Sequence, residues 1–339
     1  MAISASVPTL LLGTSNVGPA PASTPFTHDS AEKVAALLDC WYDLGGRYID
    51  TAAQYGETKE HGAGGSERRL KEAGAGQRFV IDTKVYDPPV HDGAFADDKI
   101  RRSVDQSLVN LGSKINILYL HHPDRTTPYE HVLRELDTLH REGKFQKLGI
   151  SNYTPEQTER LCEVADANGW IKPSVYQGNY SAIARASEEA LFPVLRKHGV
   201  SFYAYSPLAM GMLAGGKQKE SLEAAQTLPP GSRFHPESRK GVNFQKSWFK
   251  QENFEAVKIL NRAADESGIA PTALSLRWLA HHSALKAELG DGIILGASST
   301  KQLQETVSAF SGGPLGATQV QAFEQMWEIC KDVAPRLRA

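Results

Sequence analysis

A chain of 339 residues with 37 Lys and Arg against 39 Asp and Glu carries a formal net charge of −2, which offers nucleic acid no basic field. At 41% hydrophobic and 22% charged residues the composition is ordinary for a globular protein, and no apolar run approaches the ~18 residues of a membrane span. Cys40, Cys162 and Cys330 are too scattered for a disulfide framework or a metal site, and MAISASVPTLLLG has no basic leader region, so a reduced, soluble, cytoplasmic protein is expected.

Apolar runs and amphipathic segments alternate along the chain. PTLLLG is followed by Val34, Leu37, Leu38 and Trp41 at helical spacing, a helix that Asp29 to Glu32 is expected to open as a capping box. RYIDT comes next, then RFVIDTKV and a helical stretch with Ile100, Val104, Leu108 and Leu111 that Gly112 ends. After INILYLHH, the sequence Thr127-Pro128-Tyr129-Glu130 announces a helix with threonine at the cap and proline at its first position, and Thr154-Pro155-Glu156-Gln157 does the same. KLGISNY (147–153), SVYQGNY (174–180), VSFYAYSPLA (200–209) and GIILGASS (292–299) complete eight apolar runs. Strict alternation of strand and helix over eight units predicts an α/β fold of the (β/α)8 TIM-barrel type, with an open doubly wound sheet as the alternative. One domain is expected over 1–339, the barrel spanning about 8–311. Residues 211–246 read as a long mobile loop after strand seven, and 312–339 as a tail with an amphipathic helix near Val320 to Val333.

Active sites of such barrels lie at the C-terminal strand ends, so polar residues there are the ones to question. Asp50 ends the second strand, Lys84 the third and His121 the fourth, with Tyr55 in the loop after the second. Singly, these are a turn residue, a snorkelling lysine, half of a solvated histidine pair and a core tyrosine; as a set they have a common chemistry. A phenol with a pKa near ~10 donates protons poorly at neutral pH unless a cation stabilises its phenolate. Lys84 can supply that cation, Asp50 can keep a sheltered lysine protonated, and His121 can hydrogen-bond a carbonyl oxygen. The four together suit protonation of an oxygen that is gaining negative charge, as reduction of an aldehyde or ketone requires. His121 and His122 are expected to face apart, as neighbours on a strand do, with only His121 in the cleft.

YIDTAAQYG, DTK, YLHHPD, GISNY, YQGNY and ILGASS resemble, in order and spacing, the signatures of the aldo-keto reductases over nearly the whole chain, and FYAYSPLAMGMLAG and GDGIILGASSTKQL look like the aflatoxin-aldehyde reductase branch. The resemblance implies a barrel, NAD(P)H-linked carbonyl reduction, Tyr55 as general acid, Lys84 and Asp50 tuning it, and His121 orienting substrate. It also implies that Ser151, Asn152 and Gln177 bind a nicotinamide carboxamide, that Tyr205 stacks under the ring, and that the loop Ser206, Leu208, Gly211 runs beside the pyrophosphate. No sheet-type dinucleotide fingerprint competes: GAGQRF at 74–79 lacks the third glycine, and GAGG at 62–65 has no Lys-Ser or Lys-Thr after it. In GASSTKQLQET, Ser299 to Gln302 reads as a capping box, and a helix start of that kind also binds phosphate. Gly296, Ser298, Ser299 and Gln302 are therefore assigned to the cofactor, taken to be NADPH (NADP+), although Ser299 and Thr306 stand where the family often carries arginine and asparagine.

Substrate contacts are expected from Trp248, whose alternative is a core anchor, and from Arg338, which matches an arginine thought to grip a substrate carboxylate in this branch. Two other readings stand beside carbonyl reduction. One is a metal-dependent hydrolase using His121, His122 and Asp124, against which no metal is expected because the first strand has no HxH pair. The other is a regulatory subunit that keeps the cofactor site. The expected partner is a small carbonyl compound, with no nucleic acid or membrane, and association into a homodimer is implied only by the resemblance.

Overall fold

The structure, a computed structural model, describes residues 7–19, 27–58, 62–86, 92–216, 220–225, 235 and 241–336. Eight strands form its centre: β1 (Thr9–Gly13), β2 (Tyr48–Asp50), β3 (Val80–Lys84), β4 (Ile115–Leu120), β5 (Phe145–Ser151), β6 (Pro173–Asn179), β7 (Ser201–Tyr205) and β8 (Gly292–Leu295). Each lies parallel to the next and β8 pairs with β1, closing the barrel that the alternation predicted. The helices are α1 (Ala31–Asp43), α2 (Gly65–Glu72), α3 (Lys99–Leu111), α4 (Tyr129–Arg141), α5 (Pro155–Asn168), α6 (Ser187–Lys197), α7 (Leu222–Ala225), α8 (Gly241–Trp248), α9 (Gln251–Ser267), α10 (Pro271–His281), α11 (Thr300–Ala309) and α12 (Ala317–Cys330). Thus the segment read as a long loop contains α7 and most of α8, and the tail helix begins three residues before Val320.

Side chains alternate across each strand, so the barrel has two apolar compartments. The larger, with Leu12, Ile49, Ile81, Leu118, Leu120, Leu148 and Ile150 from the strands and Val34, Leu37, Trp41, Leu133 and Leu136 from the helices, lies between sheet and helices. The smaller is inside the barrel: Ile117, Tyr119 and Val175 pack there with half-buried Tyr203. Room for the Tyr119 ring comes from its register partner Gly149, where a Cβ would stand 2.3 Å from a ring carbon. Above this layer the inward positions turn polar. Asp50 is the register partner of Asp82, Lys84 that of Tyr119, and Gln177 that of Ser151.

Helix starts differ in detail from expectation. Thr154 and Gln157 form the full reciprocal capping box at α5, and Gly112 ends α3 in the left-handed conformation, with its N–H donating to the Leu108 carbonyl. At α1 the cap is Ser30, whose hydroxyl accepts from Lys33 N at 3.3 Å, while the Asp29 carboxylate accepts from Lys33 Nζ at 2.8 Å. The Asp29 carboxylate is taken up by a lysine side chain of the first helical turn, which leaves the cap to the next residue. Pro128 is the cap of α4, because the Thr127 hydroxyl is committed to Asp124 Oδ2 at 2.6 Å. The three cysteines are free thiols, and among the described residues no helix is long and apolar enough to cross a membrane.

Candidate active site

Parallel strands put all their C-terminal ends on one side, and Asp50, Lys84, His121 and Tyr55 meet there. Lys84 Nζ donates to both oxygens of Asp50 at 2.8 Å each and to the Thr51 carbonyl at 2.7 Å. Lys84 is 0% exposed and Asp50 3%. The Lys84 ammonium lies 5.0 Å from the ring centre of Tyr55, and the rings of Tyr55 and His121 meet edge to face, centres 5.8 Å apart. Tyr55 is held in a turn whose N–H donates to the Ala52 carbonyl and whose carbonyl accepts from Ser66 N in α2. Gly56 must lack a side chain there: its φ is +72° and a Cβ would stand 2.6 Å from Ser66 N.

Burial alone would strip the Lys84 proton, but the Asp50 charge, the phenol of Tyr55 and the hydrogen bonds to Asp50 hold its pKa above the usual lysine value. For Tyr55 the balance runs opposite to expectation. Burial pushes the phenol up; the Lys84 charge and hydrogen bond pull it down, and Asp50 adds to the rise, leaving it above the ordinary tyrosine value. Lys84 therefore limits the effect of burial rather than making the phenol acidic in the resting protein. A phenol of that kind stays protonated at neutral pH and still gives its proton readily to an alkoxide, a much stronger base.

The histidine pair departs from the alternation argument. His121 and His122 do not face apart: their rings stack at 4.8 Å and 30°. Strand β4 ends at Leu120, so the rule of opposite faces no longer applies to them. The Asp124 carboxylate is engaged in hydrogen bonds across two loops. Its oxygens accept from Gly93 N, Phe95 N, Thr126 N, Thr127 N and the hydroxyls of Thr126 and Thr127, tying the loop after β3 to the loop after β4. Among the described residues no group of three metal-ligating side chains occurs.

The residues assigned to a nicotinamide border the same site. Asn152 has φ +65°, and its amide donates to the His121 carbonyl at 3.0 Å and to Ser151 Oγ at 2.9 Å while accepting from the Tyr205 hydroxyl at 2.9 Å. One side chain thus links the ends of β4, β5 and β7. Gln177 Nε2 donates to Asp50 Oδ1 at 2.7 Å, so it braces the carboxylate that holds Lys84, a tie between residues 127 apart in sequence. Past β7, Ser206, Ala209 and Met210 have φ between +48° and +59°, followed by Gly211 at +107°. Such strain in non-glycine residues collects at functional sites. The Leu208 carbonyl holds this turn by accepting from Gly211 N and Leu213 N, and Ser206 Oγ lies 2.9 Å from Met210 Sδ.

At α11 the Ser299 hydroxyl accepts from Gln302 N at 3.2 Å, while Gln302 Oε1 accepts from Ser298 N at 2.6 Å and Ser298 Oγ at 2.8 Å. The returning half of the capping box is therefore shifted one residue outward. Space around a Cβ at Gly211 or Gly296 is empty to 4 Å, and Ser298 and Ser299 are exposed. Open glycine backbone, hydroxyls and a helix start suit phosphates, and amide and hydroxyl groups at strand ends suit a carboxamide, so the donor set fits a nicotinamide dinucleotide. Trp248 is 3% exposed within the main apolar compartment, which is the core-anchor alternative, and Arg338 lies outside the described residues. Two inward residues below the site, Asp82 and Tyr119, were not singled out from the sequence. The signal was present in VIDTK, where Asp82 precedes Lys84 by two and must share its face.

A closed eight-stranded barrel with a buried Asp–Lys pair, a tyrosine and a histidine at the strands' C-terminal ends defines a class of barrel oxidoreductase. The aldo/keto reductase family profile matches residues 9–328, and the chain belongs to that family. It is 38% identical over 307 residues to the human aldo-keto reductase family 7 member A3, covering 89% of this chain and 90% of that protein. With human aflatoxin B1 aldehyde reductase member 2 it shares 36% identity over 314 residues, 89% of this chain and 83% of the relative. An aldo-keto reductase of Pseudocercospora fijiensis is 37% identical over 298 residues, 87% and 97% of the two chains. The protein is an NAD(P)H-dependent oxidoreductase of carbonyl reduction.

Proposed function

We propose that the chain reduces aldehydes or ketones to alcohols with NADPH, and that Tyr55 is the proton donor. The observation that carries this reading is the buried Asp50–Lys84 pair beside Tyr55 and His121. When bound, the reduced nicotinamide supplies a hydride. Ser151, Asn152 and Gln177 would hold its carboxamide, Tyr205 would lie against the ring, and Ser206, Leu208, Gly211, Gly296, Ser298, Ser299 and Gln302 would line the phosphates. As two electrons reach the carbonyl carbon, the oxygen takes the Tyr55 hydroxyl proton and C=O becomes CH–OH. Lys84, kept charged by Asp50, stabilises the phenolate until Tyr55 takes a proton back from solvent. His121 orients the carbonyl oxygen beside the phenol.

The test is NADPH consumption against a panel of aldehydes and ketones, with Tyr55→Phe as control. Loss of the transferable proton lowers kcat by on the order of 10²–10⁴-fold with thermal stability unchanged; near-wild-type turnover removes Tyr55 as the acid. Comparable kcat/KM with NADH overturns the choice of NADPH. The panel also separates an enzyme from a regulatory cofactor-binding subunit, which would turn over none of it. Sedimentation of the purified protein decides the homodimer.

A further inference from the structure

Beneath the catalytic pair the barrel holds a second carboxylate. Asp82 is 0% exposed, is the register partner of Asp50, and lies two residues before Lys84 on the inward face of β3. Asp82 Oδ1 accepts from Asn116 Nδ2 at 2.7 Å and Ile117 N at 3.1 Å, whereas Oδ2 is buried with no hydrogen-bond donor. The charged and titratable groups facing it are Asp50 from β2, Lys84 from β3, Tyr119 from β4 and Tyr203 from β7. Burial pushes the Asp82 carboxyl up to about 7; Asp50 adds to the rise, and the bonds from Asn116 and Ile117 N and the Lys84 charge oppose it. A cavity of 1080 Å³ opens at the strands' N-terminal ends, away from the catalytic face, and its lining includes Asn116, the side-chain partner of Asp82, with Ile81, Val175 and Tyr203.

We propose that Asp82 is a positioning residue for the acid. Neutral, it leaves Asp50 as the one carboxylate charge on the Lys84 ammonium; ionised, it adds a second that holds the Tyr55 proton more tightly and slows reduction. The effect acts through Lys84 and Tyr55, so the inference rests on Tyr55 being the acid. An isosteric neutral variant is available: in Asp82→Asn the amide oxygen can keep the bonds from Asn116 and Ile117 N, and the amide nitrogen replaces Oδ2.

The experiment is the pH profile of kcat/KM for aldehyde reduction, from about pH 5.5 to 8.5, for wild type, D82N and Tyr55→Phe, with thermal melts at each pH. Wild type should fall about tenfold across neutrality, roughly one unit of proton affinity at Tyr55. D82N should lack that fall and keep the acid-side rate throughout. Stability supplies a readout that does not depend on turnover. A carboxyl whose pKa is raised on folding stabilises below its unfolded value near ~4, and that contribution is lost as pH rises through the folded value. The wild-type melting temperature should therefore drop relative to that of D82N by about 3 °C between the two ends of the range. A neutral-pH fall that persists in D82N while Tyr55→Phe is inactive overturns this proposal alone, as does a stability gap that does not change with pH. An active Tyr55→Phe overturns the acid assignment, and this proposal with it.

Discussion

Asp50→Asn tests the core of the site because it removes one charge and almost no volume. Lys84 Nζ now has three acceptors, two of them the oxygens of Asp50, and Asp50 Oδ1 also accepts from Gln177 Nε2. An asparagine has one acceptor oxygen. Whichever way its amide turns, the NH2 group faces the ammonium, donor against donor, and in one of the two orientations it faces the Gln177 amide as well. With Lys84 fully buried, the uncompensated ammonium costs about 3–5 kcal/mol, the usual penalty for removing one partner of a buried pair. The cheapest escape is for Lys84 to lose its proton, since burial then acts without the Asp50 charge that opposes it. A neutral lysine cannot stabilise the Tyr55 phenolate, and kcat/KM for aldehyde reduction should drop by on the order of 10²–10⁴-fold. Steady-state NADPH oxidation and urea unfolding of the same preparation give both numbers. The double variant with Lys84→Met should lose little more activity than either single one, because the pair acts as a unit. An Asp50→Asn variant that keeps kcat/KM within about threefold of wild type and unfolds within about 1 kcal/mol of it would refute this role for the Asp50 charge.

Other expectations separate stability from catalysis. Asp291, fully buried just before β8, accepts from both terminal nitrogens of Arg196 (2.9 and 2.6 Å), from Phe202 N and from Lys286 N. Asp291→Ala should cost about 3–5 kcal/mol in urea unfolding and, being at the far end of the barrel, leave kcat/KM of the remaining folded protein near wild type. At Asn152, with φ +65°, Asn152→Gly should lose the bonds to the His121 carbonyl, Ser151 and Tyr205, at about 1 kcal/mol each, and raise KM for the cofactor, while Asn152→Ala, strained at that φ, should lose about 1 kcal/mol more than the glycine variant in the same melts. Burial raises the Asp124 carboxyl, but hydrogen bonds from Thr127, Phe95 N, Thr126 N and Gly93 N outweigh it and hold it well below the usual carboxylate range. Its contribution is thus present above the unfolded value near ~4 and is lost as pH falls toward the depressed folded one. Melting curves of wild type and Asp124→Asn should differ at pH 7 and converge in acid.

The barrel was legible because eight apolar runs alternate with helical periodicity, and Asp50, Lys84 and His121 were legible because each interrupts its run at the predicted exit. What stayed hidden depends on register. The bond from Gln177 to Asp50 exists only because closure brings β6 within reach of β2, a relation no local pattern carries. The left-handed backbone at Asn152, Ser206, Ala209 and Met210 gave no glycine signal, since tertiary contacts impose it on residues that do not favour it. The caps at Ser30 and Pro128 moved for a similar reason: Asp29 and Thr127 found other partners in Lys33 and Asp124.

The two compartments of the barrel also divide the work between them. Between sheet and helices the large apolar cluster supplies most of the burial, with a few buried polar residues such as Glu67, bonded to Thr83 and Asn110, set into it. The inward polar set links Asn116 to Asp82 and, above them, Lys84 to Asp50 and Asp50 to Gln177, while Asp82 Oδ2 and the Tyr119 hydroxyl stay buried without a hydrogen-bond partner. Replacing such buried polar groups by apolar residues of the same shape is often neutral or stabilising, so the set accords with the proton transfer proposed for Tyr55 better than with a role in holding the fold. Asp82→Asn should therefore change the proton affinity of Tyr55 and leave the barrel folded, whereas equally conservative changes on the outward faces should alter stability and leave that affinity alone.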